Sequence, residues 1–311
     1  FIIEATSNIK EEWLYQKKLK KYAQEVALFT RLNREFNLGA SFSEAKDIES
    51  KTRENALFLP VVAQFNGLIS QEILAWFDKL TIISNLRSEE FKHFSFEMLE
   101  DEEFREKIVK FIKSADTGIT DIKKKKIDFA SLNIESDELK ELPDFLLEKL
   151  KEEGLSTVET MHMQYDNNNM FKQLKSFSLN FESDGTQKLL ALSAPLIDAL
   201  LNGEIIVVDE LDNSLHTDLV QAIVKLFNCP KSNPNNAQLI FSTHDTNLLN
   251  QELFRRDQIW FVQKDIYGSS ELYSLIEYGE GKIREDLALE KNYLNGKFGG
   301  KPYISSSLME L

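Results

Sequence analysis

The 311-residue sequence has little cysteine, little basic charge and no long hydrophobic segment. Its single cysteine, Cys229, excludes a disulfide framework and a cysteine-rich zinc site, and it fits the reducing cytoplasm. Charged residues interrupt the apolar runs well before the ~18 residues that a membrane-spanning helix needs, so we expect no membrane partner. With 51 acidic against 37 basic residues, the net charge of -14 argues against an extended basic surface for nucleic acid.

The composition that is present favours a globular α/β protein. Hydrophobic residues make up 42% of the chain and phenylalanine is frequent, so a sizeable core can form and global disorder is excluded. Hydrophobic spacing divides the chain into strand-like segments at 1–42, a helix-rich insertion at 43–154, and a last part at 155–311. In that last part a hairpin precedes apolar strands that alternate with helices, which predicts a mostly parallel sheet covered by helices.

Three local expectations can be compared directly with a structure. Ser70 is expected to cap a helix whose residues Trp76 and Phe77 lie in the core. The four lysines at 123–126 are expected in a solvated loop, which leaves a contact with DNA, RNA or an acidic partner open. Residues 247–254 are expected to form a helix.

The strongest chemical feature is the segment 205–210. Four β-branched residues at 205–208 form a buried strand, and Asp209 and Glu210 follow at its C-terminal end, where open α/β sheets bind ligands. Because uncompensated buried charge is costly, a divalent cation would satisfy one carboxylate. The pattern has the form of a Walker B motif, in which Asp209 holds Mg²⁺ and Glu210 orients the attacking water. A strand that simply reaches solvent is the alternative interpretation.

Three further segments accompany this strand. Ser183 and Gly185 open a helix whose hydroxyl, backbone N–H groups and macrodipole can bind a phosphate, although an ordinary N-cap has the same pattern. Residues 211–216 follow the two acids and either cross to a partner subunit or begin the next helix. His244 follows another buried strand and can hydrogen-bond a γ-phosphate or the attacking water, although a lone histidine is usually structural.

In order and spacing, these segments resemble the ATPase heads of the ABC/SMC-like superfamily. They resemble more closely a family of prokaryotic AAA-type ATPases with ABC-like signature motifs, often found in anti-phage, abortive-infection and retron-type loci. The resemblance covers most of the chain, is densest over 158–303, and includes the segment 296–303. The signature departs from the common ABC form because Asp184 replaces a glycine and Thr186 is an extra residue before Gln187.

The resemblance implies an ABC/SMC-like head that uses ATP and Mg²⁺, dimerises or oligomerises around nucleotide, and controls an effector such as a toxin or nuclease. Residues 1–42 would be part of the head's N-terminal strands, and 155–311 the lobe that carries its motifs. Glu210 and the switch histidine His244 would be catalytic, with Asp209 as the metal ligand. The signature residues that would bind the partner's nucleotide are Ser183, Gly185, Thr186 and Gln187, and the D-loop residues are Asp212 and Ser214.

A P-loop, Gly-x-x-x-x-Gly-Lys-Ser/Thr, is absent from the sequence. The nearest segment, 279–282, lacks both the spacing and the Ser/Thr. In the resembling family the P-loop lies N-terminal to all the segments found here, and this chain begins with Phe1. We therefore expect a chain that begins after the P-loop, and that alone binds ATP weakly or not at all and is inactive.

Two other functions remain open from the residues. Asp209, Glu210, His244 and Asp245 could bind two divalent ions in a metal-dependent nuclease, although the acids that follow His244 are scattered. A non-enzymatic dimerising scaffold could instead hold a partner protein on the helical insertion. ATP turnover in a Glu210→Gln variant distinguishes an ATPase from a scaffold.

Overall fold

The computed structural model describes residues 2–3, 8–20, 22–84, 88–127, 155–277 and 288–301. The described residues form a mixed α/β protein with seven α-helices and a parallel strand pair. The chain divides into two compact units, residues 1–80 and 81–311. The domain boundaries at 42/43 and 154/155 stay predictions. Part of the predicted insertion (85–87 and 128–154), the segment 279–282 and the end of the segment 296–303 lie outside the described residues.

The first unit contains a four-stranded antiparallel sheet in the order β1-β2-β3-β4 and two short helices. Its core is rich in phenylalanine, with Phe29, Phe42 and Phe58 fully buried and in ring contact. The elements are β1 (Ile2–Ile3), β2 (Ile9–Lys17), β3 (Glu25–Leu32), β4 (Glu35–Leu38), α1 (Phe58–Gln64) and α2 (Leu68–Phe77).

Carboxylates cap both helices of this unit. The buried Glu12 accepts the backbone N–H of Phe58 at 2.9 Å, at the start of α1, and lies 3.5 Å from the buried guanidinium of Arg31. At α2, Glu44 accepts the backbone N–H of Ser70 at 2.9 Å and its hydroxyl at 2.7 Å. Because α2 begins at Leu68, Ser70 lies inside its first turn, and the prediction of Ser70 as the N-cap is wrong.

The prediction that Trp76 and Phe77 lie in the core is also wrong. Both side chains, on the last turn of α2, are half exposed, at 50% and 52%. Their rings pack edge to face against each other with centroids 5.1 Å apart. Apolar spacing along a helix indicates a common face, but it does not show that another element covers that face.

The second unit contains three sheets and five helices among the described residues. The strands β10 and β9 are parallel in the sheet β10-β9-β5, whereas β6-β7-β8 and β11-β12 are antiparallel. The strands are β5 (Leu80–Ile83), β6 (Ile119–Ile127), β7 (Leu155–Tyr165), β8 (Phe171–Ser178), β9 (Ile205–Val208), β10 (Gln238–Phe241), β11 (Trp260–Lys264) and β12 (Ser270–Ser274). The helices are α3 (Ser88–Met98), α4 (Glu102–Lys113), α5 (Asp184–Asn202), α6 (Thr217–Asn228) and α7 (Leu289–Leu294).

The expectation of a mostly parallel sheet is correct for β9 and β10, which are one part of the second unit. A helix, α6, connects these two strands, as a parallel pair requires. β7 and β8 form the predicted hairpin, which confirms that part of the prediction; the connection 166–170 joins them. β11 and β12 are also joined by a five-residue connection, 265–269, which suits only antiparallel strands. The apolar residues 260–262 therefore belong to a hairpin and not to the parallel sheet.

The 19-residue helix α5 is the centre of the core of the second unit. Its residues Leu189, Leu190 and Leu196 are almost completely buried and belong to one cluster with Ile206 and Val208 of β9. The helix begins after the N-cap Ser183 and ends at Gly203, which has a φ of 68°, a left-handed conformation that suits glycine. Among the residues that the structure describes, no helix is long and apolar enough to cross a bilayer.

Two further expectations are corrected. The lysines at 123–126 lie on strand β6 rather than in a loop, and two of them pair with acids: Lys124 with Glu100 at 2.7 Å and Lys125 with Glu159 at 3.0 Å. Residues 247–254 do not form an α-helix. The side chain of Asp245 caps a single 3-10 turn, Thr246–Leu248, and turns follow it.

Candidate functional site

The parallel register of β9 and β10 determines which residues meet at their C-terminal ends. Val208 pairs with Phe241, so the acids that follow β9 lie beside Ser242, which follows β10. The backbone continues this pairing beyond the strands, because Ser242 donates to the carbonyl of Val208 at 3.0 Å and Leu211 donates to the carbonyl of Ser242 at 3.1 Å. The two segments therefore leave the sheet as one hydrogen-bonded unit.

The Ser242 hydroxyl connects the two acids. It donates to Oδ1 of Asp209 at 2.6 Å and accepts the backbone N–H of Glu210 at 2.8 Å. The sequence pattern did not single out Ser242. A hydroxyl directly after a strand was the available signal, but its role depends on the register with β9, which a sequence pattern does not give.

Glu210 has an unusual backbone conformation for its residue type. Its φ of 51° lies in the left-handed region, which costs a residue with a Cβ on the order of 1–3 kcal/mol. The carboxylate stays accessible, and its Oε1 lies 3.6 Å from Nε2 of His244. The structure thus places the two predicted catalytic side chains next to each other at the sheet edge.

The predicted D-loop forms a tight turn directly after the acids. Leu211 is completely buried and holds the turn on the core. The carboxylate of Asp212 accepts the backbone N–H of His244 at 3.3 Å from each oxygen, so it fixes the segment that carries the histidine. Ser214 has a φ of 60°, a second left-handed residue in the same turn.

The predicted signature is the first turn of α5. Ser183 caps the helix, with its Oγ accepting the backbone N–H of Thr186 at 3.2 Å and lying 2.9 Å from the Thr186 hydroxyl. Gln187 donates its amide to the carbonyl of Glu182 at 3.0 Å. The N-cap interpretation of Ser183 is therefore confirmed, and binding of a phosphate by the same turn stays a prediction.

The signature turn and the D-loop turn of the same chain touch at Gly185. A Cβ at this position would lie 2.6 Å from the backbone oxygen of Ser214, a distance that real Cβ contacts do not show. One turn further along α5, Nζ of Lys188 donates to the backbone carbonyl of Glu210 at 2.9 Å. Glycine at 185 thus permits a close approach, and Lys188 connects α5 to the candidate catalytic residue.

Lys188 is a site residue that the sequence did not indicate. Partial burial lowers the pKa of its ammonium, and the carboxylates of Asp212 and Glu210 oppose this shift without cancelling it. A lysine in the second turn of a helix is usually solvent-exposed, so residue type and position gave no signal. Only the packing of α5 against β9 brings the side chain to this edge.

Asp245 has a structural role next to the site. Its Oδ2 accepts the Thr217 hydroxyl at 2.5 Å, and its Oδ1 accepts the backbone and side-chain N–H groups of Asn247 at 3.0 and 2.7 Å. Burial raises the pKa of this carboxyl, but these hydrogen bonds outweigh burial and hold the pKa below its ordinary value. Within the described ranges, no group of three or more His, Cys, Asp or Glu side chains could hold a metal ion.

Comparison with known proteins gives a family. A model of the family "AAA domain, putative AbiEii toxin, Type IV TA system" matches residues 6–250. This range is most of the chain, and it includes β9, β10 and the candidate site residues around them. A search of curated proteins found no match.

Proposed function

The chain belongs to this family of AAA domains, and from that premise we propose that it is the part of an ATP-binding and ATP-hydrolysing ABC/SMC-like head that carries the signature, Walker B, D-loop and switch histidine. Its sequence holds no P-loop, so the complete nucleotide site belongs to the intact protein. Two heads dimerise around nucleotide and thereby control an effector protein, a toxin or a nuclease, in the cytoplasm. The family description names a type IV toxin–antitoxin system, which supports a role in prokaryotic defence.

The observation that carries this proposal is the connected network at the C-terminal ends of β9 and β10. Ser242 joins Asp209 to the backbone of Glu210, and Asp212 holds the backbone of His244. The segments that resemble Walker B, the D-loop and the switch histidine are therefore linked by hydrogen bonds, although 30 or more residues separate β9's acids from His244 in sequence. A strand that simply reaches solvent does not require such a network of side chains.

The residues present fit Mg²⁺ bound together with a nucleotide. Mg²⁺ prefers oxygen ligands and is usually held by one or two carboxylates plus substrate phosphates and water. Asp209 offers a carboxylate at the strand end, oriented by the Ser242 hydroxyl. When bound there, the ion would neutralise charge that develops on the phosphate oxygens.

Glu210 and His244 would act on the attacking water and the γ-phosphate. The carboxylate of Glu210 orients a water molecule and accepts its proton as the water oxygen attacks phosphorus and ADP departs. His244, with its Nε2 3.6 Å from that carboxylate, is within reach of the same water or of a γ-phosphate oxygen. The signature residues would complete the site of the partner head.

Glu210→Gln in the protein as the cell produces it tests this assignment. The amide keeps the size of the side chain but cannot accept the proton, so we expect ATP turnover to fall by at least about 100-fold. ATP-bound dimers should accumulate, as measured by light scattering. The exposed Glu252 provides a matched control, since Glu252→Gln should change neither quantity. Unchanged turnover in Glu210→Gln would remove Glu210 from its role.

The same experiment addresses the two alternatives. A scaffold without enzymatic activity would show no ATP turnover and no nucleotide-dependent dimer in the wild type. A nuclease would need Asp245 as a ligand together with Asp209 and Glu210, but both Asp245 oxygens already accept hydrogen bonds from Thr217 and Asn247. This engagement favours the ATPase.

A further inference from the structure

Two side chains of β7 hold Glu182, the residue directly before the N-cap of α5. The Thr160 hydroxyl donates to Oε1 of Glu182 at 2.5 Å, and Nε2 of His162 donates to the same oxygen at 2.7 Å. Thr160 is completely buried, and the Glu182 side chain is only 12% exposed. Hydrogen bonds to a carboxylate in such a partly dehydrated place are short and strong, so the position of Glu182 is well defined.

The backbone of Glu182 is fixed as well. Its N–H donates to the carbonyl of Leu179 at 3.0 Å, and its carbonyl accepts the side-chain amide of Gln187 at 3.0 Å. Leu179 is buried, and it starts the 3-10 turn that follows β8. Glu182 therefore connects the sheet β6-β7-β8 on one side with the first turn of α5 on the other.

We propose that Glu182 is a positioning residue, which fixes the signature turn on β7 so that Ser183 and Gly185 can meet the nucleotide of a partner head. This inference rests on the proposed function. A contact made across two subunits requires an accurately placed turn, and a displacement of about 1 Å can reduce a rate about 100-fold. The sheet β6-β7-β8 thereby determines how accurately the signature turn of one head contacts the nucleotide of the other.

The test uses the protein as the cell produces it and measures its ATP-dependent dimerisation in the Glu210→Gln background, where hydrolysis does not consume the complex. Glu182→Ala removes the acceptor of both hydrogen bonds. We expect the dimer dissociation constant with ATP to rise roughly 10- to 100-fold, in line with the loss of charged hydrogen bonds. ATP affinity of the dilute monomer should stay unchanged, because the signature turn acts on the partner's nucleotide. A merely structural role would lower both affinities.

Matched variants separate the anchoring contacts from general effects on the sheet. Glu159 lies on the same strand β7, where its carboxylate binds Lys125 and Ser176, so Glu159→Ala removes a comparable group that has no link to α5. Glu182→Gln keeps an acceptor oxygen and should restore much of the dimerisation. Thr160→Val and His162→Phe together remove both donors and keep their approximate shapes, so this pair should behave like Glu182→Ala.

The outcomes distinguish failure of the proposed function from failure of the positioning role of Glu182. If Glu210→Gln forms no dimer with ATP, the proposed function fails whatever Glu182 does. If that dimer forms and Glu182→Ala dimerises as tightly as Glu159→Ala, the positioning role of Glu182 is wrong. An equal loss of monomer ATP affinity and dimer affinity in Glu182→Ala would overturn it as well.

Discussion

Replacing Gly185 by alanine tests whether the signature turn and the D-loop turn pack as closely as the structure shows. In open space the substitution would stabilise α5, because alanine is better than glycine in a helix by up to ~1 kcal/mol. Here the new Cβ would lie 2.6 Å from the backbone oxygen of Ser214, and backbone cannot move aside as a flexible side chain can. The sign of the effect therefore depends on this one contact.

The magnitude follows from the two opposing contributions. Forcing extra atoms into a packed place costs about 1–3 kcal/mol, and a 2.6 Å contact with backbone lies at the upper end of that range, about 2–3 kcal/mol. The helix preference of alanine subtracts at most ~1 kcal/mol from this cost. We expect Gly185→Ala to lower the free energy of unfolding by about 1–2 kcal/mol. Ser214 already has a left-handed φ of 60°, so its turn has little freedom to retreat.

Hydrogen exchange of the α5 amides in increasing urea measures this change within the second unit alone. Asn180→Ala serves as the control, since Asn180 is exposed just before the same turn and should change stability by less than ~0.5 kcal/mol. A Gly185→Ala variant as stable as the wild type, or more stable, would show that the two turns are not in contact.

Two other predictions concern side chains outside the candidate active site. Glu12→Ala should lower the free energy of unfolding of the first unit by about 3 kcal/mol, since the buried Arg31 loses its counter-ion and α1 loses its cap. Hydrogen exchange of the β2 and β3 amides measures this change. Thr217→Val should raise the pKa of Asp245, which burial raises but hydrogen bonds from Thr217 and Asn247 hold low. Because this pKa lies below its unfolded value, the stabilisation is present above the unfolded pKa and disappears as the pH falls through the folded pKa. Thermal unfolding of wild type and variant should therefore differ most at neutral pH and converge in acid, and a constant difference across that range would contradict the assignment.

The parts of the fold that could be predicted from sequence depend on local chemistry. The β-branched run at 205–208 forms β9. Ser183 caps the start of α5 and Gly203 caps its end, which are the positions that these residue types prefer. The lysines at 123–126 show where local reasoning fails. Lys124 and Lys125 lie on a strand and pair with acids from other parts of the chain, Glu100 and Glu159, which a local pattern does not show.

The candidate site divides in the same way. Asp209 and His244 could be located from the sequence because each follows a strand whose end is visible in the hydrophobic pattern. The roles of Ser242, Lys188 and Glu182 could not be predicted, because each acts through a partner that only tertiary structure brings near. A motif search therefore finds the groups that we propose contact nucleotide, whereas the residues that hold them in place depend on strand register and helix packing.

The left-handed conformation of Glu210 shows why those supporting residues matter. Its backbone strain, on the order of 1–3 kcal/mol, is comparable with the two hydrogen bonds that hold the peptide groups, each contributing about 1 kcal/mol. One of these comes from Ser242 after β10 and the other from Lys188 on α5. The orientation of Glu210, the candidate base, thus depends on three elements: β9, which it follows, β10 and α5. In the proposed ATPase, a shift of α5 when its signature turn engages a partner's nucleotide would move the Lys188 ammonium, and with it the glutamate of the head's own site.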